Sequence, residues 1–295
     1  MGYQPMFFFS GKKDMGWQPM LRIYWSQMIK SPYLVKPGKP FKLSKLDTAD
    51  QGHFKDKEDA ESAIEKNLHR LDKLQNVMYA EAKRSVLVVF QAMDAGGKDG
   101  AVDHVFSGIN PQGCMVTSFK APTHLELAHD YLWRIHAAAP GKGMIGIFNR
   151  SHYESVLVER VKDLAPKSVW SKRYASINAF EKLLAEEGTI ILKFFLHISR
   201  KEQKARMESR LKDPSKNWKF SAQDLVERER WDDYMEAYQD ALKRCSTEEA
   251  PWFVVPSDHK WFRNWVISDT IVRTLQPLGM QYPEAATGLD KIKVV

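Results

Sequence analysis

A short glycine-rich segment, DAGGKDG, carries the residue types that phosphate chemistry requires. Gly96 and Gly97 would let backbone N–H groups turn toward an anion, and Lys98 would add a positive charge for the outer phosphates. Gly100 follows at the start of a segment that can form a helix. The alternative is a tight turn that needs glycine for φ > 0, with Lys98 solvated. That alternative does not explain two carboxylates beside the lysine, so we predict a phosphate-binding loop.

The segment departs from the usual pattern G-x-x-x-x-G-K-[ST] at both ends. Ala92 stands where the first glycine would be, and Asp99 stands where Ser or Thr would hold Mg²⁺. Asp94 adds a second carboxylate inside the loop. The predicted loop therefore carries two carboxylates near the phosphate site.

The elements around this loop must place it at one edge of a sheet. Val86–Phe90 is a run of apolar residues typical of a buried parallel strand, and Ala101–Ile109 can form the helix that follows the loop. Four further apolar runs alternate with helical patterns, which predicts a parallel sheet covered on both faces. These predicted strands are 114–119, 144–148, 189–198 and 252–255. The predicted helices are 57–84, 125–138, 172–187, 202–211, 222–244 and 260–275.

A second polar cluster, NRSHYE, follows the third predicted strand. Ligands of open α/β sheets bind outside the carboxyl ends of the strands, so this cluster would lie beside the loop if the two strands are neighbours. Arg150 could then neutralise charge on a phosphoryl group. Asn149, His152 and Glu154 are candidates to contact the acceptor, with Glu154 also able to help hold a metal. Ser151 followed by Glu154 also fits a capping box, and both interpretations can hold together.

The segment 200–219 is strongly basic, with eight Lys or Arg residues against three Asp or Glu residues. Arg206 and Arg210 are four residues apart and would share one face of a helix. A charged run is usually a solvated surface, but here it follows a strand in a fold with a phosphate loop. We predict a basic lid at about residues 200–220 that closes over phosphates.

Composition limits the remaining possibilities. The chain has 295 residues and a net charge of +7, which favours a polyanionic partner such as a nucleotide, a nucleic acid or inorganic polyphosphate. It has no long apolar run and no G-x-G-x-x-G, which argues against a membrane span and against a dehydrogenase. Cys114 and Cys245 form no metal-ligand spacing, which indicates a reduced, cytoplasmic setting.

The first thirty residues differ from the rest of the chain. MGYQPM at the start recurs as MGWQPM fourteen residues later, and the segment shows no clear period. We predict a poorly ordered extension over residues 1–30 and one domain over residues 31–295.

Several separate motifs give this chain a close resemblance to the polyphosphate kinase 2 family. They are QAMDAGGKDG, SFKAPT with LWRIH, GIFNRSHYE, and KDPSKNWKFS with WDDY and APWFVVPSDHKWFRN. The resemblance covers about Tyr33 to Gln276. NRS at the third strand, where another branch has DRS, resembles the class III branch, which phosphorylates nucleoside mono- and diphosphates.

The resemblance implies a P-loop kinase fold similar to that of thymidylate kinase, with a lid. It implies transfer of the terminal phosphoryl group of polyphosphate to AMP, ADP or a guanine counterpart with Mg²⁺ or Mn²⁺, in a homodimer or homotetramer. By the same analogy Asp94, Lys98 and Arg150 are catalytic, and Asp94 and Asp99 are candidates to hold the metal ion. Arg206 and Arg210 would stabilise charge on the phosphoryl oxygens.

Two rivals and one departure stay open on sequence grounds. An ATP-dependent small-molecule kinase could use the same fold, and a non-catalytic protein could use the basic face to bind polyanions, nucleic acid included. No aromatic-rich recognition motif supports nucleic acid. The family often has Asp where this chain has Ser155, which could affect metal or nucleotide binding or only the start of a helix.

Overall fold

A five-stranded parallel sheet forms the centre of the protein. The computed structural model describes residues 30–288 and residue 294, and the strand order in the sheet is β2-β3-β1-β4-β5. All four strand pairs are parallel, which confirms the predicted sheet. The strands are β1 (Ser85–Ala92), β2 (Cys114–Ser118), β3 (Ile145–Asn149), β4 (Thr189–His197) and β5 (Trp252–Pro256).

The sheet is buried because its central strands are apolar on both faces. Every residue of β1 and β4 is buried. Val86 and Phe90 pack into one hydrophobic cluster, and Leu87 and Val89 pack into another on the opposite face. Successive side chains of a strand point to opposite faces, so β1 has apolar side chains on both faces of the sheet. Helices must therefore cover both faces to remove these side chains from water. The result is the predicted three-layer α/β fold.

Helices cover both faces of the sheet. On one face α10 (Lys260–Leu275) contacts both α1 (Lys57–Glu81) and α2 (Lys98–Phe106), and on the other face α6 (Lys167–Glu186) contacts α9 (Trp231–Cys245). Helix α1 begins with a side-chain cap, since Asp56 accepts a hydrogen bond from the N–H of Asp59. The helices of the described residues are α1 (Lys57–Glu81), α2 (Lys98–Phe106), α3 (His124–Leu127), α4 (Trp133–Ala137), α5 (Val158–Val161), α6 (Lys167–Glu186), α7 (Arg200–Lys212), α8 (Gln223–Glu229), α9 (Trp231–Cys245) and α10 (Lys260–Leu275).

Two helices predicted as continuous are interrupted. The predicted helix 125–138 is two short helices, α3 and α4, because the side chain of Asp130 accepts a hydrogen bond from the N–H of Leu132 and forms a turn between them. The predicted helix 222–244 is divided into α8 and α9 at Arg230, whose ψ of 25° leaves the helical region. Neither break is marked by Gly or Pro, which is why the periodic pattern missed it.

The two edges of the sheet differ. At the β5 edge, residues 33–35, here called the N-terminal arm, form hydrogen bonds with the strand. The N–H of Val35 donates to the carbonyl of Trp252 at 2.9 Å, and the N–H of Val254 donates to the carbonyl of Tyr33 at 2.8 Å. Strand β2 forms the other edge, and Met115 and Val116 are exposed on it. No strand pairs with the outer side of β2 within the described residues.

The predicted N-terminal extension lies outside the described residues except for Lys30, which is exposed. Within residues 30–288 no helix combines the length and the hydrophobicity that crossing a membrane requires.

Candidate active site

The glycine loop lies where β1 ends and α2 begins. Gly97 has φ of +98°, a conformation that side chains disfavour. A Cβ on Gly96 would lie 2.5 Å from the Cβ of Ala92, so the chain tolerates Ala92 at the first position only because Gly96 has no side chain. Both glycines are therefore required by geometry, as the motif predicts.

Lys98 opens α2 and turns back toward the loop. Its Nζ donates to the carbonyl oxygen of Ala92 at 3.0 Å. Burial lowers the pKa of Lys98, with the nearby cation of Arg150 as a second cause, while Asp94 acts in the opposite direction. The ammonium thus has one neutral hydrogen-bond partner, which an incoming phosphate oxygen could replace.

Arg150 links the end of β3 to the glycine loop. Its Nη2 is 3.0 Å from Oδ1 of Asp94, and its Nη1 is 3.5 Å from Oε2 of Glu154. Arg150 has φ of +63°, which is uncommon for a residue with a side chain and is frequent at functional sites. The three predicted site residues therefore form one charged cluster at the mouth of the loop.

Asn149 brings β3 into contact with the start of α2. Its side-chain amide donates to Oδ1 of Asp99 at 2.6 Å. Asn149 lies opposite Phe90 in the β3–β1 pairing, so the polar end of β3 and the loop after β1 are neighbours, as predicted. Asp94, Lys98, Asp99, Asn149 and Arg150 all line one cleft.

His152 does not reach the cleft, although the sequence predicted that it contacts the acceptor. Its ring is buried inside the protein, where Nε2 lies 3.1 Å from Oε1 of Glu181. Tyr153 donates to the same oxygen at 2.9 Å. Glu154, by contrast, lines a smaller cavity together with Asp94 and Arg150.

Ser155, the departure from the family pattern, is also buried. Its hydroxyl donates to the carbonyl of His152 at 2.6 Å. This contact stabilises the short 3-10 helix His152–Ser155 and supports the structural interpretation of the residue.

Arg206 and Arg210 share a face of α7 but have different partners. Nη1 of Arg206 donates to the carbonyls of Ala95 and Gly96 at 3.2 and 3.1 Å, so this side chain holds the loop from behind. Nη1 of Arg210 donates to the carbonyl of Lys219 at 3.1 Å. Both arginines also line the cleft.

The cleft has a volume of about 870 Å³ and is lined on several sides by basic residues. Two of them, Lys120 and Arg263, were not predicted as site residues, because neither belongs to a basic run along the chain. A smaller cavity of about 210 Å³ adjoins it, and both are lined by Asp94, Arg150 and Asp224. Asp94 and Arg150 therefore stand between two chambers.

The carboxylates of the cleft suit a metal ion that is shared with phosphate. No group of three or more His, Cys, Asp or Glu residues that could hold a metal occurs within the described residues. Mg²⁺ is usually held by one or two carboxylates together with substrate phosphates and water, so a protein cage is not needed. Asp94 and Asp99, on the same loop and lining the same cleft, fit that requirement.

A parallel sheet whose glycine loop, lysine and basic cleft lie at the carboxyl ends of the strands defines the P-loop kinase class. The family model described as "Polyphosphate kinase 2 (PPK2)" matches residues 53–282. The chain belongs to the polyphosphate kinase 2 family. Members of this kinase family generally require a divalent metal ion.

Relatives and solved structures agree with this assignment. The chain is 52% identical to an AMP/ADP-polyphosphate phosphotransferase of Meiothermus ruber over 263 residues, which are 89% of this chain and 98% of the relative. It is 46% identical to an ADP-polyphosphate phosphotransferase of Rhodopseudomonas palustris over 88% of this chain and 94% of that protein. A crystal structure of polyphosphate kinase 2 from Arthrobacter aurescens TC1 superposes with a TM-score of 0.84 at 42% identity, covering 87% of this chain and 93% of that one.

Proposed function

We propose that this enzyme transfers the terminal phosphoryl group of inorganic polyphosphate to AMP or ADP and so forms ADP or ATP. The observation that carries the proposal is the cluster of Asp94, Lys98 and Arg150 between two chambers of one basic cleft. A phosphoryl group in transfer needs a donor on one side and an acceptor on the other, roughly in line. Relatives at 52% and 46% identity are named for transfer between polyphosphate and AMP or ADP.

The basic walls of the cleft suit a donor that is charged along its whole length. Polyphosphate offers no base or ring to recognise, so its binding relies on cations spaced along a track. Besides Lys98, four lysines line the cleft, namely Lys120, Lys216, Lys219 and Lys260. Arg210 contributes a further cation from α7, the helix of the proposed lid.

The contacts within the charged cluster support a role for each proposed catalytic residue. Lys98 would exchange its bond to the carbonyl of Ala92 for a bond to the transferring group. Arg150, with a side chain 41% exposed, would stabilise charge that spreads over the phosphoryl oxygens. Asp94, held by Arg150, would orient the acceptor phosphate or accept its proton.

We propose that Asp94 and Asp99 hold the divalent ion, Mg²⁺ or Mn²⁺, together with phosphate oxygens. Such an ion supplies positive charge that neutralises phosphate oxygens during transfer. Asn149 donates to Oδ1 of Asp99, so Oδ2 of Asp99 stays available to the ion. Asn149 and Glu154 would also contact the acceptor.

Three further expectations belong to the same proposal. GMP or GDP would serve as alternative acceptors, to be read from the screen described below. Two free cysteines, Cys114 and Cys245, agree with a cytoplasmic enzyme. Assembly into a homodimer or homotetramer would be measured by light scattering of the purified protein.

The test is a donor and acceptor screen on the purified enzyme with Mg²⁺. Long-chain polyphosphate is mixed separately with AMP, ADP, GMP and GDP, and products are resolved by chromatography. Formation of ADP from AMP, or ATP from ADP, supports the proposal. Absence of product with polyphosphate, together with phosphorylation when ATP is the donor, would overturn it in favour of an ATP-dependent small-molecule kinase.

A further inference from the structure

A second arginine, close to Arg206, also holds the glycine loop. Arg263 lies one turn into α10, and only 2% of its surface is exposed. Its Nη1 donates to the carbonyl of Gly97 at 3.1 Å. Its Nε and Nη2 donate to Oδ1 of Asn264 at 3.0 and 2.7 Å, which fixes the plane of the guanidinium group.

The two arginines together occupy three consecutive carbonyl groups of the loop. Arg206 binds the carbonyls of Ala95 and Gly96, and Arg263 binds that of Gly97. A peptide unit whose carbonyl is held on one side presents the N–H of the next residue on the other side. Of the N–H groups that follow these carbonyls, that of Gly96 donates to the carbonyl of Met93 at 2.9 Å. Those of Gly97 and Lys98 donate to no acceptor within the described residues, so these two are available to an anion.

We propose that Arg263 is a positioning residue for phosphoryl transfer: with Arg206, it fixes the peptide units of the loop so that their N–H groups face the phosphate of the donor. This inference rests on the proposed function and deepens it. It assigns a role to a residue that the charge pattern along the sequence does not reveal.

The surroundings of Arg263 favour a role directed at the loop over a role in an ion pair. No carboxylate forms an ion pair with Arg263 within the described residues, whereas Arg206 is paired with Glu202 at 2.7 Å. Burial, with the charge of Arg206 as a second cause, lowers the pKa of Arg263 to about 9. A buried cation without a counterion is costly, and it is retained here beside a loop that binds anions.

Gly97 adds a steric reason for this arrangement. A Cβ on Gly97 would lie 2.2 Å from Nη1 of Arg263, closer than atoms can approach. The glycine therefore serves both its own positive φ and the close contact of the guanidinium with the backbone. Because Arg206 comes from α7 and Arg263 from α10, the loop is held between the proposed lid helix and the body of the protein.

The first experiment compares Arg263→Met with Arg273→Met. Arg273 lies on the same helix, is exposed and is paired with Asp269, so it provides a matched control without loop contact. We expect R263M to lower kcat about tenfold to a hundredfold, the effect of losing one charge-assisted hydrogen bond that acts in the transition state. R273M should keep the kcat of the wild type. A kcat of R263M equal to that of R273M would overturn the inference.

Arg263→Lys separates positioning from simple attraction of the polyanion. Lysine keeps the positive charge but lacks the planar group that bonds Asn264 and Gly97 together. A positioning role predicts that R263K also loses kcat and that the salt dependence of the KM for polyphosphate stays as in the wild type. Full rescue by R263K, or a weaker salt dependence in R263M, would instead show direct contact with the donor and overturn the inference.

Asn264→Ala keeps the test valid if R263M does not fold. This variant retains the arginine and its charge and removes only the acceptor that fixes its plane. We expect a lower kcat with the KM for polyphosphate little changed, and a wild-type kcat would contradict the role. Wild-type enzyme assayed in parallel distinguishes failure of the proposed function from failure of this inference. If the wild type transfers no phosphoryl group from polyphosphate, the proposed function is refuted. If the wild type and the variants are equally active, only the role of Arg263 is refuted.

Discussion

The proposed catalytic cluster of Asp94, Lys98 and Arg150 contains a strained backbone and two neighbouring cations. Arg150 adopts a positive φ, and Lys98 is buried beside that arginine. Asp94 offsets both cations by pairing with Arg150 at 3.0 Å. Such local costs persist where the surrounding structure enforces them and the site uses them. Single substitutions in this cluster should therefore affect activity far more than stability.

Lys98→Ala should lower kcat about a thousandfold, because loss of one preorganised group at the developing charge costs about 10²–10³ in rate. The unfolding free energy should change little, since the ammonium makes one hydrogen bond, to the carbonyl of Ala92. Steady-state kinetics and thermal melts measure the two effects. Lys182→Ala, at an exposed residue of α6 paired with Glu186 and outside the cleft, is the control. A K98A enzyme with wild-type kcat would remove Lys98 from the mechanism.

Asp94→Asn should also abolish turnover while the protein stays folded. Asparagine keeps the size of the side chain and an oxygen that can accept from Arg150, but it cannot take a proton or hold a divalent ion as well as a carboxylate. Comparing kcat at several Mg²⁺ concentrations gives the result. Turnover of D94N near that of wild type would contradict both proposed roles of Asp94.

His197, at the end of β4, should make the protein sensitive to acid. Burial lowers its pKa to about 4, and Asp258 opposes that shift. The unfolded chain therefore binds more protons between pH 6.5 and 4, so stability is full above pH 6.5 and falls by on the order of 3 kcal/mol toward pH 4. When the unfolding free energy is measured by urea unfolding across this range, it should change less with pH for His197→Asn than for wild type. Parallel curves for the two proteins would contradict the assignment.

At the scale of elements, a buried ion pair supports the segment that carries Arg150. Lys193 on β4 has a fully buried side chain, and its Nζ donates to Glu181 on α6 at 2.5 Å and to Tyr153 at 2.8 Å. Glu181 also binds His152, the residue two positions after Arg150. Strand β4 and helix α6 therefore fix the turn after β3 from inside the protein.

Lys193→Met should lower the unfolding free energy by about 3–5 kcal/mol, because Glu181 would remain buried without its counterion. Chemical denaturation measures the change. Lys182→Met is the matched control: Lys182 lies on α6, pairs with Glu186 at 3.7 Å on the surface, and should change stability by less than about 1 kcal/mol. The double variant Lys193→Met with Glu181→Leu should recover part of the loss. Equal effects of K193M and K182M would show that the pair is not important.

The helices and strands also show which structural features the sequence patterns can predict. Apolar runs predicted all five strands and glycine spacing predicted the loop, because burial on both faces and positive φ leave direct marks in residue type. The breaks at Asp130 and Arg230 left no such mark. The charge pattern of the sequence did not predict that Arg206 and Arg263 both donate to carbonyls of the glycine loop. The direction of a charged side chain depends on its tertiary neighbours, which the sequence pattern does not show.

At the scale of the whole molecule, the net charge of +7 and the lysine-lined cleft predict that donor binding depends on salt. Binding of a polyanion releases counterions, so the KM for polyphosphate should rise about tenfold or more between about 50 mM and about 200 mM NaCl. The KM for AMP should rise much less, because AMP carries a single phosphate. Initial rates at several salt concentrations give both values. An equal rise for the two substrates would argue against an extended track.

The two edges of the sheet differ in their ability to pair with a strand of another molecule. The arm at Tyr33 and Val35 has already taken the hydrogen-bonding groups of β5, so another strand cannot be added there without displacing it. Within residues 30–288 no strand pairs with the outer peptide groups of β2, and Cys114–Ser118 contains no charged residue. In concentrated solution or during refolding, stacking of chains should therefore proceed from β2, and a lysine introduced at Val116 would oppose it.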